Sequence, residues 1–357
     1  MMKKHIAFVC PYPRGGAPSQ RFRFEQYLDL LTERGYSYSL YGFLDTRTHQ
    51  VLYHKNRLIS KVLGVILGYL RRAGLLVKLQ YADFVFIHRE ATPFGPPWLE
   101  WVVAQLFKKK IIYDFDDAIW LEDTSNVNPL ISKLKWQRKV ANVCRWSYRI
   151  SAGNDYLASY ALQYNQGVTV NPTTLDTATS HTGLKDQASL PLTIGWTGSH
   201  STMKYLYLLE KVLQELEATH DFRTVVISNQ APELDLNRLE YIPWQKATEV
   251  SDLRQIHIGL MPLPDDAWAR GKCGFKALQY LSLGIPALVS PVGVNARIVT
   301  HGTNGYHCIT DEDWYQYLSQ LLKDASLRSK LGQNGRQTVV NQYSVEANTD
   351  NFLSLFD

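Results

Sequence analysis

Cysteine is scarce in this chain of 357 residues: four thiols, Cys10, Cys144, Cys273 and Cys308, stand far apart and form no CxxC pair. That spacing argues against a zinc ligand set and against a disulfide framework, and it suits a reducing cytoplasm. Long apolar runs are missing too. The longest, VLGVILGYL from Val62 to Leu70, falls well short of the roughly 20 residues that span a bilayer. The N-terminal MMKKHIAFVCPYP has an apolar run that is brief and broken by prolines, so it reads as a first strand rather than a signal peptide. No polar or low-complexity tract suggests a disordered tail. Acidic residues are absent from two stretches of the first half. Between Asp45 and Asp83 stand Arg47, Lys55, Arg57, Lys61, Arg71, Arg72 and Lys78, and between Asp123 and Asp155 stand Lys133, Lys135, Arg138, Lys139, Arg145 and Arg149. The apolar, cation-flanked LISKVLGVILGYLRRAGLLVKL within the first stretch fits either an anionic membrane surface or a core helix with a solvated basic face.

What is present is a globular composition, 45% hydrophobic and 20% charged, in a chain long enough for two cores. Short β-rich runs alternate with helical patterns through the first half: HIAFVC, SYSLYGF, DFVFIH, KIIYDF, YRISAG and GVTV. The second half restarts the pattern with LTIGW, FRTVVIS, LEYIP, HIGLMPL, IPALVS and GYHCI. Alternation of this kind predicts two doubly wound parallel sheets, an α/β fold of two Rossmann-like domains. The expected boundaries are a first domain over residues 1–172, a linker over 173–191, a second domain over 192–341, and a terminal helix over 342–357 that could return to the first domain.

Each half opens with a strand, a glycine- and hydroxyl-bearing turn and a helix: HIAFVCPYPRGGAPSQRFRF and LTIGWTGSHSTMKYLYLLEKVL. Such turns can direct backbone N–H groups at phosphate, although neither matches the GxGxxG dinucleotide fingerprint. Two facing domains of this build place a ligand in a cleft at the strand C-termini.

The segments IGWTGSHSTMKYL, GLMPLPDDAWARGKCGFKALQYLSLGIPALVSPVGVNARIV and HGTNGY resemble the donor-binding half of GT-B glycosyltransferases of family 4, the retaining group 1 enzymes. GGAPSQRFRFEQYL, FIHREATPFGPP and IIYDFDDAIW are similar to the first half of members that serve surface-polysaccharide synthesis. The likeness runs in order through nearly the whole chain. It implies a GT-B fold, a nucleotide diphosphate sugar as donor and a saccharide acceptor; the basic first half adds the expectation of an anionic or lipid-linked acceptor met at the inner face of the plasma membrane.

Opening a sugar–phosphate bond builds charge on the β-phosphate, which fixed cations and N–H groups stabilise. Lys272 and Lys276 flank Gly274 at a helix start, with Arg270 before them. Gly198, Ser199 and Lys204 follow the first strand of the second half, and Gly16 and Arg21 occupy the matching turn of the first. Arg21 and Arg23, at i and i+2, cannot share a helix face, so one of them is expected to function. Gly293 stands in a strand-to-helix turn, and Trp244 is a candidate border for the base as well as a candidate core residue. The family places glutamates eight positions apart, the second on the ribose hydroxyls; here those positions read Gly271 and Gln279. A neutral amide is a weaker acceptor, so ribose binding should be weaker or differently arranged, and Gln279→Glu should tighten it.

The candidate catalytic set is His88, Arg89 and Glu90, at the end of a buried strand, with Asp116 and Asp117 as acceptor-hydroxyl ligands or partners for Arg89. Asp114-Phe115-Asp116 has D-x-D spacing, but cations for the diphosphate are already supplied, so neither a metal nor a cofactor is expected. Three rival readings stand beside transfer. The Gly271 and Gln279 departures suit a degenerate subunit, and the double Rossmann build suits a nucleotide-sugar epimerase. The basic stretches could serve a nucleic-acid binder, against which stand the modest charge of +5 and the lack of a recognition motif.

Overall fold

The computed structural model describes residues 4–51, 57–121 and 136–357; Lys55, Lys133 and Lys135 of the basic stretches lie outside them. The chain divides into two units, Met1–Thr173 with Thr349–Asp357, and Thr174–Asn348.

All twelve predicted β-rich runs form strands. In the first unit these are β1 His5–Cys10, β2 Ser37–Gly42, β3 Phe84–His88, β4 Lys110–Phe115, β5 Arg149–Ala152 and β6 Val168–Val170. Every pairing is parallel, in the order β2-β1-β3-β4-β5-β6. The central strands are buried along their length because helices cover both faces, which is why β3 reads FVFIH without alternation. Phe8, Phe24 and Phe86 pack as one cluster with centroids 5.0–5.5 Å apart. The chain terminus completes it, with Phe352 stacked on Tyr27 at 4.2 Å and Phe356 set edge-on to Phe84.

In the second unit the strands are β7 Thr193–Gly198, β8 Arg223–Ser228, β9 Leu239–Pro243, β10 Ile258–Met261, β11 Ala287–Val289 and β12 Gly305–His307, again parallel, in the order β12-β11-β10-β7-β8-β9. The strand order reverses between β1 and β3 in the first sheet and between β7 and β10 in the second. Open α/β sheets bind ligands outside the carboxyl ends of their strands at such reversals.

The stretch expected as a linker is bonded into the second unit from Thr174 onward. Leu175 exchanges backbone hydrogen bonds with Tyr343 and Val345, the Gln187 side chain donates to the carbonyls of His257 and Gly284, and Arg336 donates to those of Thr177 and His181. The segment carried by the first unit at the chain's end begins at Thr349, so residues 342–348 remain with the second.

The Leu58–Leu79 helix packs with an unusual face. Gly64, Gly68, Arg72, Leu75 and Leu79 are its buried positions, and side chains from the rest of the unit fill the space beside the glycines: Thr48 at Gly64 and the Phe43 ring at Gly68. Leu58, Ile59, Val62, Leu63, Ile66, Leu67, Leu70 and Val77 are exposed. No helix among the described residues is long and apolar enough to cross a membrane.

Candidate active site

In the second unit two of the candidates, Gly198 and Lys276, meet at the carboxyl end of β7. The Phe275–Ser282 helix begins after Gly274, whose φ of +69° lies in the left-handed region open to glycine. Tyr280 fixes this helix to the sheet. Its hydroxyl accepts the Thr197 N–H at 2.9 Å and donates to the Leu260 carbonyl at 3.3 Å, while its ring fills the space beside Gly259 on β10. One turn earlier, Lys276 runs along β7. A Cβ added at Gly198 would lie 2.9 Å from Lys276 Cε and 2.5 Å from the buried Trp196 ring, and the Lys276 ammonium sits 5.4 Å from that ring's centroid. Gly198 therefore leaves room for the lysine stem, at the reversal between β7 and β10.

The remaining second-unit candidates take different surroundings. Lys272 lies 5.2 Å from the Trp268 ring centroid, and exposed Lys204 lies 5.3 Å from that of Tyr205. Arg270 is held by Asp265 through bonds of 2.6 and 3.0 Å on a half-solvated surface. Ser199 precedes the His200–Leu206 helix, with its hydroxyl on Ser201 at 2.9 Å. Gly293 has φ +57°, and a Cβ there would lie 2.8 Å from the Arg270 carbonyl, so close backbone packing requires glycine at this turn. Trp244, the residue after β9, is half-buried and donates its indole N–H to Glu249 at 3.3 Å; Gln279, buried, donates its amide to the same oxygen at 3.4 Å. Trp244 and Gln279 thus stand together with an acid that no motif singled out.

In the first unit the turn after β1 differs from the expected phosphate cradle. The Gly15 N–H donates to both oxygens of Glu25, at 3.0 and 2.8 Å, and the Gly16 N–H closes a turn onto the Pro13 carbonyl. Both amides are spent within the protein, and a carboxylate already lies where an anion was expected. Of the paired arginines, Arg23 is wholly buried, bridging Asp114, the Asn171 carbonyl and the Ser151 hydroxyl. Arg21 is half-buried against the Phe22 ring.

The HRE residues diverge in role. His88 Nδ1 meets Asp114 Oδ2 at 2.7 Å, and its Nε2 meets the Ser19 hydroxyl at 2.8 Å; that hydroxyl also donates to Asp116 at 2.8 Å. Arg89, at φ +58°, forks across both acids, to Asp116 at 2.7 Å and Asp117 at 2.6 Å. Glu90 is held by Lys139 at 2.7 Å. Burial acts to raise the Asp114 carboxyl, but Arg23 and the hydrogen bond from His88 hold it below the usual range; for Asp116 burial is likewise outweighed, chiefly by Arg89. Each acid of the D-x-D spacing thus has an arginine partner, Arg23 for Asp114 and Arg89 for Asp116. Among the described residues no group of three or more His, Cys, Asp or Glu side chains could hold a metal ion.

Sequence reasoning gave no site role to Ser19, Glu249 or Tyr280, and it set Asp114 aside with the D-x-D spacing. Ser19 stands three positions after Gly16 and Tyr280 is next to Gln279, whereas Glu249 reaches the site only through the placement of its helix.

Two six-stranded parallel sheets, each with helices on its faces and a strand-order reversal beside the candidate residues, define a protein of the GT-B class of fold. Residues 193–338 match the family described as glycosyl transferases group 1. Among solved structures, the chain is similar to a sucrose-phosphate synthase from Thermosynechococcus elongatus (TM-score 0.69, 11% identity, 99% of this chain and 98% of that one). It is similar to a glycosyltransferase from Rickettsia africae (TM-score 0.66, 14% identity, 100% and 98%). HepE from Anabaena, in complex with UDP-glucose, gives a TM-score of 0.66 at 12% identity, covering 98% and 99%. No curated protein matches the chain in sequence.

Proposed function

We propose that the chain is a retaining glycosyltransferase of family 4 that moves a sugar from a nucleotide diphosphate donor to a hydroxyl acceptor. The observation that carries this reading is Lys276, laid along β7 against Gly198 at the strand-order reversal of the unit that matches the glycosyl transferases group 1 family. Its ammonium, with Lys272 and the Gly198–Ser199 backbone, stabilises the β-phosphate as the bond from sugar C1 to phosphate oxygen breaks. The acceptor oxygen bonds to C1 from the same face, its proton passes to the departing phosphate, and the nucleoside diphosphate leaves. Lysines supply the positive charge, so the scheme calls for no divalent metal. The UDP-glucose bound by the similarly folded HepE makes a UDP-sugar the first donor to try.

The acceptor is a saccharide or lipid-linked hydroxyl of cell-surface polysaccharide synthesis. Supporting a membrane-side acceptor, the Leu58–Leu79 helix contains no acid and turns eight aliphatic side chains outward. Such a face suits the boundary of an anionic bilayer.

Incubation with UDP-, GDP- and ADP-sugars tests the reading. Hydrolysis or transfer is expected, with Lys276→Ala lowering turnover at least tenfold, about 1.4 kcal/mol of transition-state stabilisation. Wild-type kinetics in that variant would remove Lys276 from the site. A second reading, a nucleotide-binding subunit without transfer, is favoured by Gln279 and would show binding with no turnover of any donor.

A further inference from the structure

We propose that Glu249 is the carboxylate that binds the ribose hydroxyls of the donor, a role displaced from position 279 onto a neighbouring helix. The inference rests on the donor reading above. A ribose 2′,3′-diol presents two O–H donors, and a carboxylate, one oxygen to each, is the side chain that accepts both with charge-assisted strength. Position 279 holds a neutral amide whose NH2 group points to Glu249, so it donates to the acid.

The surroundings of Glu249 fit a positioned ligand group. Its helix, Glu249–Leu253, follows β9, and Trp244 hydrogen-bonds through its backbone N–H to Ser228 at the end of β8, so the cluster stands at the carboxyl edge of the sheet. Only 6% of Glu249 is exposed. An acid so buried costs stability unless its charge is met, and here two N–H donors from different elements converge on Oε1, the indole of Trp244 and the amide of Gln279. Both hold the carboxylate in one orientation. The acid's charge also reaches the buried His181, whose pKa burial lowers and Glu249 partly restores. Trp244, oriented by the same acid, is the flat apolar surface next to which a base would lie.

This geometry reverses the expectation for Gln279→Glu. With Glu249 3.4 Å from the amide nitrogen of Gln279, a second carboxylate there places two like charges in one buried site. Nucleotide binding should weaken. Removing the original acid at the same time, in Glu249→Gln with Gln279→Glu, should restore it.

The test is calorimetry of the full chain with uridine, guanosine and adenosine diphosphates and their 2′-deoxy counterparts. Wild type should prefer one ribose nucleotide over its deoxy form by about tenfold or more. Glu249→Gln should lose that preference and bind the deoxy form, which keeps its 3′-hydroxyl, less tightly than wild type does, and the double variant should regain the preference. Gln279→Ala, which keeps the acid, should retain it. Should Glu249→Gln fold and discriminate as wild type does, or should Gln279→Ala alone abolish discrimination, the assignment to Glu249 falls and the donor reading stands. Should wild type bind none of these nucleotides, the donor reading falls and takes this proposal with it.

Discussion

Tyr280 occupies the space that a side chain at Gly259 would need: a Cβ on β10 would lie inside the phenol ring's van der Waals surface, while the ring's hydroxyl ties β7 and β10 together. Gly259→Ala should therefore push the Phe275–Ser282 helix off the sheet. Overpacking of this kind costs about 1–3 kcal/mol, readable as a lowered urea midpoint. Since Lys276 rides on the same helix, turnover should fall as well; unchanged stability and activity would show that the ring moves aside at no cost.

The buried ion pair in the first unit makes a second test. Arg23→Ala leaves Asp114 without its cation, and stranding a buried charge costs about 3–5 kcal/mol. Urea unfolding should show that loss. A cost under about 1 kcal/mol would mean that His88 and Ser151 hold the acid adequately by themselves.

His257 predicts a pH dependence. Its Nδ1 accepts the Thr193 N–H at 3.2 Å and its Nε2 faces the Ser189 carbonyl at 2.9 Å, an arrangement that suits the neutral ring. Burial, followed by the charge of Lys185, pushes its pKa down to about 4. The unfolded ring titrates near the usual ~6.5, so between those values the unfolded state binds more protons. The contribution to stability is whole above pH ~6.5 and fades as pH falls toward 4, by on the order of 3 kcal/mol at most. Stability measured by denaturant from pH 7 to 4.5 should decline more steeply in wild type than in His257→Gln; parallel curves would assign the decline to other groups.

The exposed aliphatic face of the Leu58–Leu79 helix predicts binding to vesicles containing phosphatidylglycerol. Leu63→Glu with Ile66→Glu should reduce co-sedimentation tenfold or more, since each inserted side chain is worth about 1.5–3 kcal/mol on full burial. Equal sedimentation of wild type and variant would remove this face from membrane binding. Both changes lie on solvent, so thermal stability should hold.

Much of the fold is legible along the chain because strands buried on both faces carry consecutive apolar residues instead of an alternation, as Phe84–Ile87, Ile111–Tyr113 and Val225–Ile227 do. The Lys272–Lys276 helix start is legible for a similar reason: Gly274 and the lysines are close in sequence, and a local turn brings them together. The bonding of the first-unit turn is not legible, because its decisive partner, Glu25, lies ten residues on and reaches back to Gly15 through a side chain. The attachment of residues 174–191 to the second unit is not legible, because it rests on side chains such as Gln187 that bond to backbone carbonyls distant in sequence.

The sequence by itself determined two parallel α/β units and the cationic turn before Phe275, since these follow from periodicity and from residues a few positions apart. Only the tertiary structure decided that Arg23 would be a core ion pair while Arg89 holds Asp116 and Asp117, and that Glu249 would meet Gln279 across thirty positions of chain. Hydrogen bonds and charges act over a few ångströms of space, and the order of residues along a chain does not say which distant side chains the packing of sheets and helices will bring within that range.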